Sequence, residues 1–147
     1  MNPHFTPAGY RISTDKTEFD LRMVHTFLSE EAYWAKGIPF ETVQKSVENA
    51  LCFGVFHGTE QVGFARVISD FATVAYLGDV FILPAHRGRG LSKRLMQHVV
   101  AHPELQGLRR WILLTGDAHG LYRQFGWKAL AAPERWMERH DPGVYQP

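Results

Sequence analysis

Cysteine is almost absent from the 147-residue chain: Cys52 stands alone, so no internal disulfide can form. Cys52 lies in the apolar run Leu51-Cys52-Phe53, where a buried structural thiol is expected. No apolar run approaches the roughly 18 residues that a membrane-spanning helix needs. The N-terminal Met1-Asn2-Pro3-His4 has neither a basic nor an apolar stretch, so no secretory leader is expected and the chain reads as cytoplasmic. An excess of charge is missing too, since 16 Lys and Arg stand against 15 Asp and Glu and leave +1. Such a balance creates no whole-molecule field to recruit nucleic acid or a membrane surface, and neither is expected as a partner. Any anion must be captured by a local device. Repeats, low-complexity tracts and linkers are also lacking, which points to a single domain over residues 1–147.

What is present is an ordinary globular mixture, 45% apolar and 21% charged. A chain of this length buries roughly 70% of its unfolded surface, enough for a core without staples. Tyr10 to Ser13 reads as a short strand. Asp15 followed by Glu18 resembles a capping box, and Leu21, Val24 and Leu28 then recur at helical spacing. After the break at Gly37-Ile38-Pro39, Phe40, Val43, Val47 and Ala50 mark a second helix, with Pro39 suited to its first position. Cys52 to His57 and Gln61 to Ile68 form a hairpin about Gly58-Thr59-Glu60, and Val74 to Leu83 is a third β run. Gly90 to Ala101 reads as a helix with Leu91, Leu95, Met96, Val99 and Val100 on one face. Arg110 to Thr115 is a buried-type strand and Ala118 to Phe125 a short helix. Trp127 to Leu130 and Arg135 to Glu138 are expected to close the sheet. The predicted fold class is α/β: a mixed, mostly antiparallel central sheet with one βαβ crossover.

The most informative stretch runs from Val80 through Leu83-Pro84-Ala85-His86-Arg87-Gly88-Arg89-Gly90-Leu91-Ser92 to Lys93. A strand enters a loop with two glycines and two arginines, and the loop opens a helix. Unpaired N–H groups and a partial positive charge at a helix start hold phosphate. Glycine lets the backbone approach the anion, and arginine adds charge-assisted bonds. The spacing is neither that of a P-loop nor of a dinucleotide fingerprint, because Lys93 takes the place of the third glycine.

These residues resemble the GNAT superfamily of acetyl-CoA-dependent N-acetyltransferases, whose signature is Gln/Arg-x-x-Gly-x-Gly/Ala after a strand. Here it stands as Arg87-Gly88-Arg89-Gly90-Leu91-Ser92 behind Pro84, with Ser92 as the last small residue. Ala118-His119-Gly120-Leu121-Tyr122-Arg123-Gln124-Phe125-Gly126-Trp127 is similar to that family's Ala-x-x-Leu-Tyr-x-x-x-Gly-Phe, with Trp127 for Phe. The two blocks keep the family's order and spacing.

The resemblance implies an enzyme that transfers the acetyl group of acetyl-CoA directly to an amine in a ternary complex, without metal. It implies a cleft where the strand ending at Leu83 splays from the next strand. Backbone N–H groups from Gly88 to Ser92, with Arg87, Arg89 and Leu91, would hold the pyrophosphate. Main chain at Phe81 and Leu83 would pair with the pantetheine arm, and the Ile82 N–H would polarise the thioester carbonyl. Thr115 and Ala118 would face the cofactor. Tyr122 matches the acid that protonates the departing thiolate, and Asp79 is the candidate general base, with His119 its rival. The acceptor is a small-molecule or peptide amine, with Tyr33-Trp34 and Trp136-Met137 near it, and family precedent makes a homodimer an expectation. The competing reading is a non-catalytic acyl-CoA sensor, which would keep the arginine-glycine loop without needing Tyr122.

Overall fold

Apolar runs over Leu51–His57 (β2) and Glu60–Ser69 (β3), separated only by Gly58-Thr59, close an antiparallel hairpin in the computed structural model, which describes residues 7–146. Met1 to His4, read above for a leader, lie outside that range. Tyr10–Ser13 (β1) adds antiparallel to β2, and Val74–Ile82 (β4) adds antiparallel to β3. After β4 the chain crosses through the helix Leu91–Ala101 (α3) and returns as Arg110–Leu113 (β5), parallel to β4. A parallel return needs such a crossover, whereas the antiparallel pairs need only turns. The five strands lie in chain order in one mixed sheet, in agreement with the predicted fold class.

Each face of the sheet has its own core. On one side Phe53, Val67 and Leu77 meet Leu91, Leu95, Met96 and Val99 from one stripe of α3. On the other, Cys52, Phe64 and Phe81 meet helices Leu21–Glu30 (α1) and Phe40–Glu48 (α2) through Val24, Phe27, Leu28, Val43 and Val47. Phe27 stacks on Phe81 with ring centroids 3.9 Å apart. Cys52 is fully buried there, and burial pushes its thiol up to about 11, which suits a packing role. Buried Gln61 joins α1 to the sheet, accepting from the Asp20 amide at 2.7 Å and donating to the Gly63 carbonyl at 3.0 Å.

Three expectations need correction. Asp15 does not cap the first helix: it accepts from the Thr17 amide and closes a short 3-10 turn over Lys16–Glu18. Asp20 caps α1 instead, through the Met23 amide, so the helix starts later than the capping-box pattern suggests. Pro39 is the N-cap of α2 rather than its first residue. Finally, Trp127 to Leu130 and Arg135 to Glu138 are not strands. Pro133–Arg135 forms one 3-10 turn, and residues 128–131 and 133–144 are exposed. The side chains are used otherwise: Trp127 packs on the core beside Trp111 and Tyr122, and Trp136 lies against the Arg110 guanidinium.

Gly63 shows how little slack the β2–β3–β4 junction has. A Cβ placed on it would lie 2.7 Å from Ile82 Cδ1, 3.0 Å from Val55 Cβ and 3.1 Å from the Phe81 carbonyl oxygen. Because a backbone atom cannot swing aside, Gly63→Ala should destabilise the fold by about 1–3 kcal/mol through overpacking. Chemical denaturation would read this as a lower midpoint with an unchanged slope.

Candidate active site

The site begins with a fault in the β3–β4 ladder. Phe64 pairs with Phe81 and Arg66 with Gly78, so Asp79 and Val80 together face Ala65. This is a β-bulge, and Asp79 occupies it with φ 54°, a left-handed conformation that Asp tolerates better than most residues. A bulge bends its strand. The parallel pairing of β4 with β5 ends at Leu77 and Leu113, just before the bulge, and the two strands then part. Beyond that point, among the described residues, the cleft-side edge of β4 has no strand beside it. The Leu83 amide donates to the Val62 carbonyl at 2.8 Å, so ladder alternation turns Phe81's amide to β3 as well. Ile82's amide is the one that faces the cleft. The Phe81 and Ile82 side chains are both buried, on opposite faces of the sheet.

At the end of β4 the chain makes a 3-10 turn over Pro84–His86 and enters the glycine loop. Arg87 does not reach freely into solvent, because its Nε donates to the Ile82 carbonyl at 2.8 Å and ties the loop to the strand end. Gly88 and Gly90 have φ 78° and 76°, and a Cβ on either would meet nothing within 4 Å. Both are therefore demanded by backbone conformation and leave the loop's concave side open. Gly90 is the N-cap of α3 and no side chain caps that end, so the first amides of the helix remain available for an anion. Leu91, 2% exposed, anchors the helix start in the core, while Arg89 is exposed and Ser92 half-buried. An open loop of left-handed glycines leading into an uncapped helix fits a pyrophosphate.

The opposite lip runs from Leu114 to the short helix His119–Arg123 (α4). Thr115 Oγ1 accepts from the Ala118 amide at 3.0 Å and the Asp117 amide at 3.3 Å, which shapes the turn that starts α4. Tyr122 follows, its ring 8% exposed and edge-on to Trp127 at 5.8 Å. No described residue hydrogen-bonds its hydroxyl. Burial, with smaller contributions from Asp117 and Tyr33, pushes this phenol up to about 12. It therefore keeps its proton across any physiological pH.

The connection between α1 and α2 reaches both lips. Tyr33 Oη accepts from the Gly116 amide at 2.8 Å, and Trp34 Nε1 donates to Asp79 Oδ1 at 2.8 Å. The two rings meet edge-to-face at 5.0 Å. Asp79's other oxygen, Oδ2, accepts from Arg66 Nε at 2.8 Å in a nearly buried ion pair.

The fold and sequence of this chain have counterparts among known proteins. The sequence model of the Acetyltransferase (GNAT) family matches residues 21–127. The chain belongs to the GNAT family of acetyltransferases. A Gibberella zeae relative named "Putative acetyltransferase FG08082" is 32% identical over 141 residues, covering 81% of this chain and 78% of its own. A crystal structure of a GNAT-family protein from Xanthomonas campestris pv. campestris is 54% identical, with a TM-score of 0.92 over 94% of this chain and 97% of that one. A Clostridium acetobutylicum protein crystallised with acetyl-CoA is 13% identical with a TM-score of 0.60, covering 89% and 94%, and shares the fold. GNAT enzymes use acetyl-CoA, and this chain is a GNAT-type N-acetyltransferase by family. Among the described residues no His, Cys, Asp or Glu cluster could hold a metal, and no helix is long and apolar enough to cross a membrane.

The residues singled out in the sequence fall on two segments: Asp79 and Ile82 on β4 with the Arg87–Ser92 loop after it, and Thr115, Ala118 and Tyr122 after β5. Phe81 and Leu83 point their amides away. His119 is exposed at the start of α4, and His86 Nδ1 shares a hydrogen bond with the Tyr10 hydroxyl at 2.7 Å. Sequence reasoning missed Arg66. Nothing in a strand's own sequence says that a residue 13 positions earlier will pair with Asp79, because that contact is made by register.

The Arg66–Asp79 pair is testable without substrate. Arg66→Met leaves a nearly buried carboxylate with Trp34 alone, which should destabilise the fold by about 3 kcal/mol. Adding Asp79→Asn removes the uncompensated charge, and Asn accepts the same left-handed backbone. The double variant should recover most of the loss, as measured by a denaturation double-mutant cycle.

Proposed function

We propose that the chain transfers the acetyl group of acetyl-CoA directly to an amine while both are bound in the cleft. The observation that carries this reading is the unpaired edge of β4 leading into an uncapped, glycine-opened helix. One end of that path suits an acyl-pantetheine arm, and the other suits the pyrophosphate. Bound there, acetyl-CoA supplies an electrophilic thioester carbonyl.

The chain's residues then have distinct tasks. Amides from Gly88 to Ser92 hold the pyrophosphate, with Arg89 adding charge and Arg87 fixing the loop to β4. Thr115 and Ala118 set the opposite wall. The Ile82 amide donates to the carbonyl oxygen as its negative charge grows, where a prepositioned donor helps most. The amine nitrogen bonds to the carbonyl carbon, the carbon–sulfur bond breaks, and the amide forms. Tyr122 gives its proton to the departing sulfur, and the proton that the nitrogen loses on becoming an amide restores the phenol by way of water. A phenol at about 12 is a weak acid, but a thiolate released in the same desolvated cleft is also made more basic. Asp79, the base candidate of the sequence reading, has each oxygen bonded once and one acceptor direction left on each. Its ion pair with Arg66 favours holding the incoming ammonium by a hydrogen bond, with the proton passing to water.

Acetyl-CoA at 100 times its dissociation constant should raise stability by about 2.7 kcal/mol in a thermal-shift assay, while ATP and NAD should not. Gly90→Val should weaken coenzyme A binding at least tenfold, about 1.4 kcal/mol, in a protein that still folds. Equal affinity in that variant would place the pyrophosphate elsewhere.

Tyr122→Phe removes one oxygen and keeps the ring's packing. Single-turnover acetyl transfer should slow by roughly 10- to 1000-fold, with the melting temperature and acetyl-CoA affinity nearly unchanged. Single-turnover rates are the right measure because slow product release can hide the chemical step. A packing role predicts an unaltered rate, and a sensor with no transfer chemistry predicts no thiol release from either protein. Because Tyr122 stays protonated to about pH 12, the wild-type rate should not decline on its account between pH 7 and 10.

A further inference from the structure

The turn that leads from β4 into the glycine loop is held from the opposite edge of the sheet. Of residues 84–90 only His86 is half-buried, and the rest are exposed. The start of β1 and the ends of β2 and β4 lie at the same end of the sheet, because each of these strands is antiparallel to the next. His86 reaches back across that end to β1, where its Nδ1 shares a hydrogen bond of 2.7 Å with the Tyr10 hydroxyl.

The Tyr10 ring is held for this bond by its surroundings. His57 stands opposite Tyr10 in the β1–β2 register and lays its ring on it, 4.6 Å between centroids. The His86 ring meets Tyr10 edge-on at 5.7 Å and lies 5.5 Å from that of His57. Gly9, with φ 84°, leaves room for the His57 ring, since a Cβ there would lie 3.3 Å from Nε2.

The hydroxyl itself does nothing for the strand that carries it. Backbone pairing from Tyr10 to Ser13 fixes β1 to β2, and the carbons of the Tyr10 ring pack on the α3-side core. Phenylalanine would serve both ends. What the oxygen adds is a tie to the loop, next to the one that Arg87 makes with the Ile82 carbonyl. Leu91 is buried on the far side, so the unanchored part of the loop is only Gly88, Arg89 and Gly90. Glycine backbone loses the most freedom when a ligand orders it, and fixing its entry in advance strengthens binding.

We propose that Tyr10 is a positioning residue: through His86 it holds the entry of the glycine loop in the form that takes the pyrophosphate of coenzyme A. The inference rests on the acetyl-transfer reading above. Neither Tyr10 nor His86 is given a contact with the reacting atoms.

The test measures coenzyme A binding to the full chain by calorimetry, with the stability of each free protein followed by denaturation. Wild type is compared with Tyr10→Phe, His86→Ala, His86→Asn, and the two double variants that join Tyr10→Phe to each change at His86. An asparagine amide puts a polar atom near the place of Nδ1 and can share a bond with a hydroxyl. A neutral hydrogen bond corresponds to roughly two- to tenfold in an equilibrium constant. Tyr10→Phe and His86→Ala should each raise the dissociation constant about three- to tenfold, and His86→Asn should stay within about twofold of wild type. In the Tyr10→Phe background both changes at His86 should add less than about twofold, because the partner is already gone. Unchanged affinity in Tyr10→Phe, whatever its stability, overturns the proposal and leaves the bond a role in folding alone. Binding in His86→Asn as weak as in His86→Ala overturns it too, since the imidazole itself would then meet the phosphates. A wild-type protein that binds no coenzyme A overturns the cleft reading, and the task of Tyr10 with it.

Discussion

Asp79 holds a left-handed backbone in the middle of a strand, and the cleft depends on that one constraint. A regular β4 would continue pairing with β5 past Leu77 and Leu113, and the two strands would close against each other. With two residues set against Ala65, the strand bends and the pairing stops. A bent strand with a free edge must be held, because unpaired backbone invites partners. Here the hold is electrostatic: the Asp79 carboxylate accepts from Arg66 on the neighbouring strand and from Trp34 on the α1–α2 connection. The group that makes the bend also fixes what stands above it.

From that bend the rest of the site follows in order. The free edge exposes Ile82's amide to the cleft and leaves its carbonyl to Arg87. Arg87 then secures the loop in which Gly88 and Gly90 take left-handed conformations, and the loop delivers α3 with its first amides uncapped. On the facing lip, Thr115 folds the turn into α4, and α4 brings Tyr122 back into the core with its hydroxyl unbonded. Tyr33 and Trp34 join the two lips. Each step is an ordinary device, and their sequence along one strand edge is what the proposed binding of acetyl-CoA rests on.

The same bend divides the sheet face. Helices α1 and α2 cover the β2–β3 part, where Phe64 and Phe81 complete a core that does not include Ile68, Tyr76 and Ile112.

Much of this was written in the local sequence. The strands, the α3 stripe and the glycine loop are set by period, turn chemistry and backbone freedom, which act over a few residues, and the family resemblance lay in two short blocks. Tertiary structure decided what local rules do not reach. Asp15 has the capping pattern, yet α1 starts at Leu21 because Gln61, forty residues away, fixes the Asp20 amide. The closing strands did not form: Trp127 packs beside Tyr122 and Trp136 lies against Arg110. Phe81 and Leu83 were separated from Ile82 by ladder register alone. Asp79 was legible as a carboxylate near a splayed strand, but its φ of 54° and its bonds to Arg66 and Trp34 exist only where three distant segments meet. Short-range rules fixed which segments carry chemistry. Register and packing, which depend on the whole sheet, decided which of their atoms face the cleft.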